Sequence, residues 1–550
     1  MAIKWATPPR QRQQPILMGP SLDEQIAADD PIRLMEDILS GLDWTEWERS
    51  YSDGPGRPPV QPRLMAGAIL YGMMNRIRSS RDLEAATRMR VDFHWLLGGM
   101  SIDHSTFIRF RSRFGDRLEA LLKDLNKEAG EVMRAGPKRI AVDGTCIRAN
   151  SDRHGARTAK CLEGKIAALQ AEFGEIMAEM DMLDAMEALD DDTIATLEKR
   201  KAELERQQRK LEEALEVARE RDEAKRKRDG QAACEVRVPV TDPDSSLLLN
   251  KDGGYAPNYT ATAAVDVDSG LVVDADVPTG GDEASAIQPA VEATEETFGH
   301  KPDQALFDSN FASGENLEYL AAEGVEALAP SEAAKDDNPA TRPDPTKPIG
   351  EEEVDKLLNR KGKLGKALFA YDTDADSYHC PMGRTLPFHR IVKRRKKGGG
   401  ETTVREYKCG DCSGCPLAKK CLRRKAKART VSRDEYEPLR EDLAARMRTD
   451  AAKEAYGQRA PAIEGVFGCI KGAMGIRGFL TRGHEKVRTE WRWICGAYSM
   501  RKLMGLLTAK RAASAASAQG SAPNSRDDAA PPRILALPRL FRRTTFTEAA

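Results

Sequence analysis

"KRIAVDGTCIRAN" (residues 138–150) decides how the rest of the chain is read. Arg139-Ile140-Ala141-Val142 is short and apolar and reads as a buried strand, with Asp143 where it ends and Gly144-Thr145 turning away. An Asp before Gly is ordinarily a turn former, its carboxylate bonding its own backbone. A carboxylate at the end of a buried strand also suits a metal ligand, and that role needs partners elsewhere in the chain.

Two further stretches offer them. "ALFDSNF" (305–311) is an apolar strand, Ala305-Leu306-Phe307, ending in Asp308. Two strands of one sheet that each end in Asp bring their carboxylates to a common edge, where open α/β sheets hold ligands. "YGQRAPAIEGVFGCIKG" (456–472) reads as a helix from about Ala462 and carries a third acid, Glu464. Glu464 and Lys471 are two helical turns apart, so with Phe467 they share a side while Val466 and Ile470 pack inward. Three converging carboxylates repel one another unless cations neutralise them. Hard oxygen ligands with open positions suit Mg²⁺ or Mn²⁺, and a pair of such ions serves phosphodiester chemistry.

The intervening sequence fits a sheet. "YTATAAVDVDSGLVVDADVPTG" (259–280) alternates on either side of Asp268-Ser269-Gly270 and reads as a hairpin. "AIQPAVEATEETFG" is a helix, and "QALFDSNFASGENLEYLAAEGVEALAPS" reads strand, turn, helix, strand. Strands alternating with helices after a hairpin give a mixed α/β sheet.

Residues 1–130 read as all-helical. In "DHSTFIRFRSRF" (103–114), Ser105 and Thr106 can cap a helix with Phe107, Phe110 and Phe114 on one side and Arg109, Arg111 and Arg113 on others. A helix-turn-helix reader of DNA and an ordinary bundle both fit. Residues 160–235 form a helical arm, in which Leu197, Leu204 and Leu211 recur every seven residues with Ile194 and Leu215 on the alternate seam. An acidic break in "EALDDDTIATLE" fits an antiparallel hairpin, and an intermolecular coiled coil fits as well. Residues 511–550 are low-complexity and expected to be disordered.

At 550 residues the chain is expected to hold two to four domains, and its formal charge of −1 hides segregation. Residues 384–430 carry 16 Lys/Arg against 3 Asp/Glu, and residues 280–340 carry 2 against 14. A concentrated basic patch is compatible with a polyanion partner. The start "MAIKWATPPRQRQQP" lacks an apolar signal region and no apolar run suits a membrane span, so a cytoplasmic protein is expected. Five of the ten cysteines, Cys380, Cys409, Cys412, Cys415 and Cys421, crowd into the segment 336–439, which reads as a basic Cys-rich insertion. Their spacing suits Zn²⁺ in a zinc-ribbon-like knuckle, with five candidates for four positions; an iron–sulfur site and a metal-free cluster remain open. The other five, Cys146, Cys161, Cys234, Cys469 and Cys495, read as buried or incidental. No GxxxxGKS phosphate loop is present, so ATP-driven chemistry is unsupported.

The array Tyr456, Arg459, Glu464, Lys471 resembles the Y-R-E-K signature of insertion-sequence DDE transposases. "VDGTCIRAN" is similar to that family's first-Asp strand, "GYAPNYTATAAVDVDSGLVVDADV" to its hairpin, and "GFLTRGHEKVRTEWRWICGAYSMRKL" to its closing helices. "DHSTFIRFRSRF" resembles part of the helical domain such enzymes carry. Ser309-Asn310-Phe311 after the second Asp, and four residues between Arg459 and Glu464, depart from the commoner pattern; Glu490 is a rival third acid. The resemblance implies an RNase H-like core in three parts (131–159, 236–335 and 440–510). In it Asp143, Asp308 and Glu464 form the DDE triad, while Lys471, Arg459 and Tyr456 bind DNA phosphates. It implies Mg²⁺-dependent cleavage at terminal inverted repeats of double-stranded DNA, attack of the freed 3′-OH on target DNA, and by analogy a homodimer on DNA. A catalytically inactive DNA-binding relic is the alternative.

Overall fold

The computed structural model describes residues 19–51, 58–133, 136–185, 191–229, 235–249, 253–359, 362–395, 401–410, 412–423 and 426–518. The acidic break at 186–190, the side chain of Ile194, Cys234 and the tail beyond Ala518 lie outside the described residues. The chain divides into two compact units, one of residues 1–125, 472–476 and 492–550, the other of residues 126–471 and 477–491.

The first unit contains the helices Pro31–Gly41, Pro62–Met74, Ser80–Met89, Val91–Leu96 and His104–Arg113. Caps fix where they begin. Asp30 accepts from the amide of Ile32, and Ser79 from that of Asp82. The helix 104–113 is capped by Asp103, which accepts from the amides of Ser105 and Thr106, so the expected Ser/Thr cap is corrected by one turn element. A carboxylate holding two amides and the Thr106 hydroxyl is a better acceptor there than either hydroxyl, and these bonds hold Asp103 below the ordinary carboxylate range. Phe107, Phe110 and Phe114 are buried as the pattern requires, Phe110 and Phe114 against Trp47. The expected basic face is thinner than it reads. Arg109 is exposed, but Arg111 donates to the Arg78 carbonyl at 3.0 Å and the Arg113 guanidinium lies 4.5 Å from the Tyr51 ring centroid.

The second unit is built on a mixed sheet. Strand β1 (Arg139–Arg148) leads to β2 (Ala156–Arg157); β3 (Val238–Pro239), β4 (Ser246–Leu249), β5 (Tyr255–Asp266), β6 (Val272–Asp276), β7 (Gln304–Leu306) and β8 (Glu326–Leu328) follow. The order is β4-β5-β1-β7-β8, with β6 also paired to β5. β1 runs antiparallel to β5 and parallel to β7, and β7 runs parallel to β8. The hairpin β5–β6 turns where expected: Gly270 takes φ +71°, and Asp266 accepts from the amides of Asp268 and Ser269. The helices Ile287–Phe298 and Gly314–Ala322 make the crossovers into β7 and β8.

One expectation about β1 is overturned: the strand does not end at Asp143. It pairs with β5 from Ile140 to Arg148, with Asp143 opposite Ala263, whereas its pairing with β7 covers only Arg139 to Ala141. The parallel neighbour stops just before Asp143 and the twelve-residue antiparallel neighbour carries the strand on.

The helices Ala159–Ala185 and Asp191–Asp229 form an arm folded back on itself. Glu163 pairs with Arg219 at 2.7 Å and Glu172 with Arg200, so the two run antiparallel within one chain. Leu204 and Leu211 are buried, and Leu162, Ile166, Ala214 and Ala218 pack with Val238. β2 and β3 pair at its base.

The Cys-rich segment, expected as a basic zinc-ribbon-like insertion, carries a five-stranded sheet. β9 (Ala370–Asp372), β10 (Ser377–His379), β11 (Thr385–Arg395), β12 (Glu401–Lys408) and β13 (Thr430–Arg433) form an antiparallel sheet in the order β13-β12-β11-β10-β9. Tyr378, Leu386, Tyr407 and Val431 make its core, with Leu364 and Leu417. Its charges are partly engaged, since the buried Glu406 carboxylate bonds Arg390 and Arg394, each at 2.9 Å. Among the described residues no helix is long and apolar enough to cross a membrane.

Gly72 exposes a tight point of the first unit. A Cβ there would lie 2.6 Å from a Leu83 methyl and 2.7 Å from the Ile77 carbonyl oxygen, and the Ile77 amide is bonded to the Gly72 carbonyl at 2.7 Å. Gly72→Ala is expected to destabilise the protein by about 1–3 kcal/mol. Chemical denaturation checks this; an unchanged midpoint would show that the turn yields freely.

Candidate active site

The parallel register of β1 and β7 places the site. Ala141 stands opposite Leu306; Asp143 follows two residues on within β1, and Asp308 two residues past Leu306, the end of β7. The two carboxylates are near enough that the charge of Asp308 acts on Asp143. Past Leu306 the second strand turns: Asp308 accepts from the Asn310 amide at 2.6 Å, and the Phe311 amide bonds the Asp308 carbonyl at 3.1 Å. Residues 309–311 thus form a turn that orients Asp308.

Asp143 is partly buried. One oxygen accepts from the Gly144 amide at 2.8 Å, and the other meets Arg459 Nη2 at 2.9 Å. Burial pushes its carboxyl above the ordinary range and the charge of Asp308 adds to this, while Arg459 and the Gly144 amide oppose it. A further acid, unforeseen in the sequence, joins the pair. Glu283 is raised by burial and then by the charges of Asp143 and Asp308. A Cβ on Gly144 would stand 2.5 Å from Glu283 Oε1, so this glycine gives clearance to a carboxylate instead of turning the chain. Nothing in the spacing marks Glu283, which lies among the fourteen acids of residues 280–340.

The helical residues divide. Tyr456 ends the helix Asp450–Gly457, and Arg459 opens the helix Arg459–Gly468. The Tyr456 hydroxyl is raised by burial; Arg459 opposes this, and Asp308 and Asp143 reinforce it. Tyr456 and Arg459 therefore stand with the two aspartates. The helix packs on β1 and β5 through Ile463, Val466 and Ile470, all buried. Glu464 is exposed, about 140° around the helix from Arg459. The expected shared side of Glu464, Phe467 and Lys471 is corrected: Phe467 is buried near Trp491, and the helix widens into a π-turn at Cys469–Ala473 before Lys471. Lys471 reaches β1, donating to Thr145 Oγ1 at 2.5 Å and to the Cys146 carbonyl at 3.0 Å.

The rival acid Glu490 is buried and holds a loop, accepting from the amides of Leu480 and Thr481 and from the Thr481 hydroxyl at 2.8–3.0 Å. In the Cys-rich sheet, Cys380, Cys409, Cys412, Cys415 and Cys421 line one cavity with Leu364, Leu386 and Leu417. Among the described residues no three His, Cys, Asp or Glu side chains are already gathered closely enough to hold a metal ion.

Residues 379–504 match the family described as Transposase DDE domain, and residues 20–113 match the one described as Transposase domain (DUF772). The first match takes in Tyr456, Arg459, Glu464, Lys471 and the cysteines, and begins after Asp143, Glu283 and Asp308. No curated protein matches the chain.

Removing the Glu490 carboxylate leaves the Leu480 and Thr481 amides without that charged acceptor. Glu490→Ala is expected to cost about 1–3 kcal/mol of stability. Thermal unfolding reads this, and a melting point equal to wild type would remove the loop-holding role.

Proposed function

We propose that this chain, which both family matches support as an insertion-sequence DDE transposase, cuts DNA strands at transposon ends and joins the freed 3′-OH to target DNA. The observation that carries the reading is the pair Asp143 and Asp308, each two residues past the last register pair of adjacent parallel strands, with Arg459 and Tyr456 beside them. The strand order, a three-strand antiparallel meander extended by two parallel strands, supports an RNase H-like core.

The donor chemistry fits a hard divalent cation. Mg²⁺ is commonly held by one or two carboxylates, water and substrate phosphate, so a two-aspartate site needs no closed protein cage. Asp143 and Asp308 would hold it, with Glu464 as the third acid. When bound, such ions activate the attacking oxygen and stabilise the leaving oxygen of a phosphodiester. The chain's own groups do the positioning. Arg459 offsets the negative charge at Asp143 and has the planar fork to take a DNA phosphate. Tyr456, kept protonated by burial and by the two aspartates, retains a hydroxyl donor for a phosphate oxygen. Lys471 fastens its helix to β1 just past Asp143, so it sets the distance between the helix and the acids. The helices of residues 20–113, with Arg109 exposed, would bind DNA at the terminal repeats, and cutting of paired ends implies a homodimer.

A supercoiled plasmid carrying the inverted repeats that flank the reading frame tests this. Mg²⁺-dependent nicking at the ends is expected, and Asp143→Asn or Asp308→Asn should each lower it at least about 100-fold, the upper range for losing a mere supporting partner of a metal ligand. End binding without cutting would favour the relic. Glu464→Gln should abolish cutting and Glu283→Gln should leave it measurable; the reverse outcome gives the third position to Glu283. Lys471→Ala is expected to weaken cutting more than DNA affinity. Equal losses, with a salt dependence lower by about one phosphate contact, would make Lys471 a general contact instead.

A further inference from the structure

The cysteine cavity owes its form to two tight turns. In Cys380-Pro381-Met382-Gly383 the Gly383 amide donates to the Cys380 carbonyl at 2.8 Å, and the Cys380 amide donates to the Arg384 carbonyl at 2.9 Å. Gly383 takes φ +70°, and a Cβ on it would stand 1.8 Å from the Thr346 carbonyl oxygen, so only glycine fits. Cys412-Ser413-Gly414-Cys415 also holds a glycine at positive φ, +64°, here in the third place instead of the fourth, and a short helix, Ala418–Cys421, follows. The first turn joins β10 to β11; the second lies in the connection from β12 to β13.

The placement of the sulfurs points to a cation: Cys380 from the β10–β11 turn and Cys412, Cys415 and Cys421 from the β12–β13 connection line one cavity. The backbone amides of Met382 and Arg384 also donate to the Cys380 sulfur. Cys409 differs. It follows β12, its amide bonds the Arg429 carbonyl at 3.0 Å, and its side chain is buried in the sheet core with Leu386 and Tyr407.

We propose that Cys380, Cys412, Cys415 and Cys421 form a structural Zn²⁺ site that ties the β10–β11 turn to the β12–β13 connection, with Cys409 as a core residue. The backbone turns are set, and the sulfurs close on the ion by rotation about their Cα–Cβ bonds. Walls of Leu364, Leu386, Leu417 and Leu422 leave a dry, four-ligand site, as structural zinc sites have. This site stands apart from the carboxylates of β1 and β7, so its test does not depend on DNA cleavage.

The full chain, purified without chelator, should contain about one zinc per chain by elemental analysis. Cys412→Ser and Cys415→Ser should lose it and Cys409→Ala should keep it. If the serine variants fail to fold, the wild-type protein decides. Exchange into Co²⁺ should give thiolate-to-cobalt charge transfer with tetrahedral ligand-field bands, and a strong chelator should lower the melting temperature. Absence of zinc above background, iron with visible absorbance, zinc retained in Cys415→Ser, or zinc lost from Cys409→Ala would each overturn the assignment.

Discussion

A parallel ladder of three residue pairs, Arg139–Ala141 against Gln304–Leu306, is the constraint on which the candidate site depends. Side chains alternate along a strand, so a slip of one residue in β1 would send Asp143 to the opposite face. The register is held from both sides. β1 continues along β5, and β7 is pinned by β8, whose Leu328 carbonyl takes the Phe307 amide at 3.1 Å. Ile140, Ala141, Val142, Ala305, Leu306 and Phe307 are almost completely buried, so both strands are anchored by apolar packing just before their acids.

Placing acids at that edge creates an electrostatic cost that the surrounding residues moderate. Asp308 raises the proton affinity of Asp143, both aspartates raise that of Glu283, and the Arg459 guanidinium offsets part of the repulsion at Asp143. The same helix reaches β1 a second time through Lys471, so two cations from one short segment bracket the first aspartate. That arrangement joins folding to function: the charges that hold the helix on the sheet are those a phosphate backbone would meet.

The basic Cys-rich module behaves differently from its composition. Arg390 and Arg394 neutralise a buried glutamate, Arg433 pairs with Glu441 and Arg405 with Asp376, so part of the local positive charge supports the five-stranded sheet. Formal charge along a sequence therefore overstates the field available to a polyanion, because ion pairing within the fold removes part of it. In the arm, exposed ion pairs between the two helices accompany a narrow apolar seam.

The sequence by itself determined the local elements: the apolar run 140–142 before Asp143, the strand before Asp308, the hairpin at 259–280, the crossover helices, the aromatic face of helix 104–113 and the tight spacing of Cys412 and Cys415. Each is written in periodicity, turn residues or short spacing, which act over a few residues. Tertiary structure decided the rest. It extended β1 past Asp143, because a long antiparallel neighbour persisted where the parallel one stopped. It brought Glu283 over Gly144, directed Lys471 to Thr145 through a π-turn, and engaged Glu490 in a loop. It also gave the Cys-rich stretch a sheet of its own. These outcomes depend on strand register, helix phase and through-space charge between residues far apart in the chain, and no local pattern records them.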